Sequence, residues 1–157
     1  MNTSTFIILV VLLFWAGFVS SISFMEAWLK FRAQGVTLNV GLSIGKKIFT
    51  SLNRMEWVFL FLYAIVGLSV LKLNFELRVI LSMLVFAFLV IQTFFVLPAL
   101  NHRVDIVLRG ETPDKSFLHL YFGSLEILKV LLLIWLSYLW YKSALMNQTI
   151  INLELSK

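Results

Sequence analysis

Residues 6–25 run for 20 positions without one charged side chain, and residues 79–97 do the same for 19. A hydrocarbon core about 30 Å thick takes roughly 20 helical residues to cross. Lipid offers nothing to hydrogen-bond a backbone, so an apolar run of that length satisfies its N–H and C=O groups within its own helix. Composition agrees: of 157 residues, 61 % are hydrophobic and 13 % charged, against about 45–50 % and about 25 % in a soluble domain. A mean hydropathy of +0.95 excludes disorder, collagen and ordinary globular architecture. The chain has no Cys, which removes disulfide frameworks, thiolate metal sites and thiol nucleophiles. The pattern predicts an all-α, polytopic membrane protein forming a single domain.

Four spans are expected, at about residues 6–26, 56–73, 78–97 and 117–141. The first meets Glu26, Lys30 and Arg32 at its end; a cleaved signal peptide is the rival reading, but nothing basic precedes Phe6 and no A-x-A site follows. The second is short. Only 15 residues separate Glu56 from Lys72, about 22 Å of helix, so flanking residues must dip or snorkel and Glu56 sits at or just inside the interface. Upstream, Leu42, Ile44, Ile48, Phe49, Leu52 and Met55 alternate with Lys46, Lys47, Asn53 and Arg54. That spacing predicts an amphipathic interfacial helix between spans one and two, continuous with the second span or kinked from it.

The third span leads into Pro98, expected to kink the helix without ending it, and Gly110 suits the residue just past its extension. Thr112-Pro113 reads as an N-cap and first-turn proline opening the fourth helix. That helix closes on Trp135, Tyr138, Trp140 and Tyr141, an aromatic belt followed by Lys142.

The net charge of +5 lies in short clusters beside apolar runs. No polar stripe of Arg and aromatics is laid out for nucleic acid, and the expected surroundings are the lipid bilayer. Lys30, Arg32, Lys46, Lys47 and Arg54 in the first connection and Arg103, Arg109 and Lys115 in the third make 5 + 3 = 8 basic residues. Lys72, Arg78, Lys142 and Lys157 make four on the other side. The positive-inside bias then puts the long connections in the cytoplasm and both termini outside.

In such a chain the informative residues are the polar ones at depth. Counted from Phe117, Glu126 lies about 14 Å and Lys129 about 18 Å into the membrane, one turn apart on one face. His119 stands seven residues before Glu126, and 700° of rotation returns it to within about 20° of the same direction. The three are expected to form one polar stripe turned from lipid. Glu26, Glu56 and Gln92 lie at overlapping depths and are candidate walls of a polar pocket, with Arg54, His102 and Arg103 at its mouth.

Two readings of that stripe stay open. A structural one has the ion pair fix helix register; a functional one makes it a binding site or proton relay. Sharper chemistries lack their motifs. There is no Glu-x-x-His pair for a di-iron site, no His-Glu-x-x-His, no P-loop and no Gly-x-Ser-x-Gly, and no metal ligand set or catalytic residue is assigned. His102 and His119 leave a haem as one candidate cofactor, otherwise unknown. Gly17 with Ser21, and Gly41 with Gly45, make small-xxx-small faces that permit close helix approach.

The segments SFMEAWLKFRAQGVTLNVGLSIGKKIFTSLNRMEW, residues 23–57, and LPALNHRVDIVLRGETPDKSFLHLYFGSLEILK, residues 97–129, resemble two polar stretches of small bacterial four-helix inner-membrane proteins. That family carries no assigned activity, so the resemblance implies architecture and membrane location and no catalytic residue. The expected function is non-enzymatic: binding or translocating a small solute, ion, proton or lipid at the buried pocket, as a homo-oligomer if transport is involved. One alternative is a structural or assembly subunit of a membrane complex; another is an intramembrane enzyme acting on a haem- or quinone-like molecule.

Overall fold

A computed structural model describes residues 2–26, 29–68 and 77–155. All the regular structure among them is helical. Helix α1, Thr3–Ser20, is capped by the Asn2 side chain, which accepts from the Ser4 and Thr5 N–H groups at 2.6 and 3.4 Å. It is apolar on nearly every side, yet only Thr5, Ile8, Leu12, Trp15, Ala16 and Val19 are buried, at the spacing of one helical stripe. Phe6, Val10 and Leu13 on the opposite side are bare. That division suits a helix with protein on one side and acyl chains on the other. A turn of π-helix, Ser21–Glu26, follows, and a 3₁₀ turn occupies Lys30–Arg32.

Helix α2, Leu38–Leu68, runs unbroken for 31 residues, so the amphipathic segment and the expected second span are one rod. The anticipated end of that span, with Lys72, falls outside the described residues, as does Lys157. Helix α3, Leu77–Ile91, passes through a π turn, Gln92–Val96, into α4, Leu97–Leu108. The π turn explains how Pro98 is carried. Proline has no N–H and crowds the carbonyl four residues back, and a wider turn just before it relieves that crowding. The Leu97 N–H bonds the Gln92 carbonyl, five residues back.

Helix α4 ends as anticipated at Gly110, whose φ is +83°. Its N–H bonds the Val107 carbonyl and the Glu111 N–H bonds that of Ile106, the paired bonds of a Schellman ending. Helix α5, Leu118–Leu155, does not open at Pro113 as Thr112-Pro113 had indicated. The Arg103 guanidinium donates to the Asp114 carbonyl, and the Ser116 hydroxyl accepts from the Leu118 N–H. Both tie residues 111–117 into an open strap and delay the helix by one turn. At its far end α5 continues well beyond Tyr141.

The segments Thr3–Arg32, Leu77–Leu108 and Leu118–Met146 are long and apolar enough to cross a membrane. In the bundle, α1 packs against α5 and α2; α3 packs mainly on α5, and α4 mainly on α2. Helices α2 and α5 therefore face each other across the centre. Phe59 of α2 receives the rings of Phe14, Trp15 and Phe18 from α1, at centroid distances of 5.9, 6.1 and 5.6 Å. Of the expected aromatic belt, Trp140 is instead turned inward, 1 % exposed, where its N–H donates to the Tyr63 hydroxyl at 3.4 Å.

Candidate functional site

Helix spacing brings Glu126 and Lys129 onto the inward face of α5, with Lys129 0 % exposed. Its ammonium reaches across the bundle to Glu56 of α2, 2.8 Å from Oε1 and 2.6 Å from Oε2. It also donates to Gln92 Oε1 at 2.6 Å and to Glu126 Oε1 at 3.2 Å. Three N–H bonds are all an ammonium has, and three residues on separate turns of the bundle accept them. Gln92 Nε2 donates to Glu126 Oε1 at 2.7 Å. This fixes which way the amide points, because a flipped group would set its NH₂ against the ammonium. Trp15 of α1 completes the shell, its Nε1–H donating to Glu56 Oε2 at 2.9 Å. Glu56, Gln92 and Glu126 are 1 %, 0 % and 0 % exposed. The centre is sealed.

One atom is left over. Glu126 Oε2 is buried and has no hydrogen-bond partner among the described residues, whereas both Glu56 oxygens accept at least one donor. With both carboxylates and the ammonium ionised, the centre carries −2 + 1 = −1. A smaller network lies one turn away, where the Thr93 hydroxyl accepts from Trp57 Nε1 at 3.0 Å and lies 3.1 Å from Asn53 Oδ1.

Of the nine expected pocket residues, four meet here: Glu56, Gln92, Glu126 and Lys129. His119 does not. It shares their direction, but seven residues along a helix is about 10 Å, and it lies exposed near one end of the bundle with its ring 6.5 Å from that of Phe49. Glu26 is also apart, pairing with Lys30 at 3.4 Å, and its Oε1 has no partner among the described residues. Arg54 and His102 are exposed, and Arg103 lines a second cavity beside His119. Among the described residues no group of three or more His, Cys, Asp or Glu side chains is placed to hold a metal ion.

Sequence reasoning missed Trp15, Asn53, Thr93 and Trp57. Signals for them existed: a mid-span indole needs an acceptor when buried, and Asn53 and Thr93 stand one turn and one residue from Glu56 and Gln92.

The small-residue pairs divide. A Cβ on Gly17 would meet nothing within 4 Å, so that position is not a site of close helix approach. On Gly41 a Cβ would lie 2.3 Å from the Phe31 ring, and on Gly45 2.7 Å from Lys30 Nζ. Those two glycines seat the turn Lys30–Arg32 against α2. Compared with family models, with curated proteins and with solved structures, the chain matches none.

Proposed function

We propose that this chain is a non-enzymatic integral protein of the cell inner membrane, crossing it four times, whose buried centre carries one exchangeable proton, as a proton-linked carrier of a small solute or ion does. The observation behind this reading is the surplus carboxylate. A structural lock needs one carboxylate for one ammonium, and a second buried anion without a counterion costs several kcal/mol by order of magnitude. A single proton makes the centre neutral. Its place is Glu126 Oε2, the oxygen of this centre at which no donor among the described residues is aimed. Helix α2 supplies Glu56 and would be the fourth span, through the apolar half that ends at Leu68.

Infrared spectroscopy tests the proton directly. The protein in lipid is expected to show a protonated-carboxyl C=O band that E126Q removes; a band unchanged in E126Q overturns the reading. In vesicles holding a pH-sensitive dye, E126Q is also expected to abolish proton movement driven by an imposed potential. A second reading, a lock that joins helices in a larger assembly, is favoured by the saturation of the Lys129 ammonium by three acceptors. It predicts no proton movement and no such band.

A further inference from the structure

Near the N-terminal end of α5 lies a cavity of about 300 Å³, separate from the buried centre and sharing none of its residues. Its walls are of two kinds. Phe49, Leu100, Val104, Val107 and Leu118 make an apolar floor, while Lys30, Lys46, Arg103 and His119 bring basic groups, and no Asp or Glu among the described residues lines it. Two of the cations have carboxylate partners beyond the walls: Lys46 with Asp105 at 2.5 Å, and Lys30 with Glu26 at a long 3.4 Å. Arg103 donates to a backbone carbonyl, which carries no charge to offset it. The cavity thus holds surplus positive charge above hydrocarbon. Lys30 is held deep in it, its side chain 8 % exposed, with its Nζ 4.9 Å from the centroid of the Phe49 ring. Gly45 leaves the room for that ammonium.

We infer that this cavity binds the headgroup of an anionic amphiphile bearing one phosphate, with the apolar tail leaving beside α5. Arginine's planar fork matches phosphate oxygens two at a time, and lysines add point charges around them. Leu118 and His119 of the first turn of α5 line the same space, so the positive end of that helix dipole lies beside it and favours an anion further. A volume near the lower end of ligand pockets suits a headgroup rather than a whole lipid. Phe117 and Leu120, which bracket Leu118 and His119, are 70 % and 63 % exposed and offer the tail an apolar track. Lys46 also lines a neighbouring surface groove with Lys47 and Arg54, so positive charge extends outward from the mouth.

Native mass spectrometry of the full chain in a neutral detergent, titrated with dodecyl phosphate, dodecanol and inorganic phosphate in parallel, tests this. Dodecyl phosphate is expected to bind one per chain, at least tenfold more tightly than either dodecanol or inorganic phosphate. R103Q should weaken it about tenfold and R103K by less, since lysine keeps the charge and loses the fork, and V107W, which fills the floor, should remove it. Melting temperature measured alongside confirms that each variant is folded; R103Q and R103K keep the test decisive if V107W is not. Equal binding of inorganic phosphate would make the ligand a free anion and overturn the amphiphile. Equal binding of dodecanol, or R103Q binding as tightly as the wild type, would overturn the charged site.

Discussion

Two ion pairs in this molecule have almost the same length and opposite surroundings. Lys129 and Glu56 meet at 2.6 Å with side chains 0 % and 1 % exposed; Lys46 and Asp105 meet at 2.5 Å with side chains 33 % and 42 % exposed. Distance does not rank them. In water the attraction is small and both partners are well solvated when parted, so an exposed pair is worth about 0–1 kcal/mol. In the interior neither charge has any solvent to fall back on, so the pair's worth appears only when one partner is removed. The sealed pair also joins α2 to α5 midway between the Phe49–Phe122 and Tyr63–Trp140 contacts of the same two helices, whereas the exposed one joins α2 to α4.

Removing the central cation should break this contrast most violently. K129M strands the ionised Glu56 carboxylate among apolar neighbours, beside a Glu126 that already holds its proton, and is expected to cost about 3–5 kcal/mol, read as lost folded fraction in denaturant titration in lipid micelles. Adding E56Q to K129M should recover part of that loss, because the second change removes the stranded charge; a strictly additive double variant would show that the pair is not coupled. W15F is next. It keeps an aromatic ring near Phe59 but deletes the indole N–H given to Glu56, a hydrogen bond to a charged group worth about 1.5–3 kcal/mol. The smallest effect falls at the exposed end, where D105N should move stability by about 0–1 kcal/mol and vanish in high salt.

Much of the interior could be read before any coordinates. Glu126 and Lys129 were legible because charge is rare in an apolar run, and helical phase alone set them on one face. Gln92 and Glu56 followed from depth. His119 was misplaced because phase fixes direction and says nothing of height: it points the same way two turns lower, where the bundle opens. The delayed start of α5 was hidden because Thr112-Pro113 is a sound local signal overridden by Arg103, a residue of another helix gripping the strap. The second cavity was legible only in fragments. Arg103 and His119 had been singled out, but Lys30 enters through Gly41 and Gly45, which read as a helix-packing pair rather than as a seat for a turn.

The π turn at Gln92–Val96 has a reach beyond its own five residues. A helix that takes in one extra residue turns everything after it by about 100°, so a single rod can show two different sides along its length. Before the turn the rod leans on α5, and after it on α2. Gln92 stands at the changeover, touching the ammonium of one neighbour at the level where the other neighbour's carboxylate arrives. The wider turn thus acts as a swivel, letting one helix serve as the shared wall between the sealed interior and the basic cavity near the start of α5.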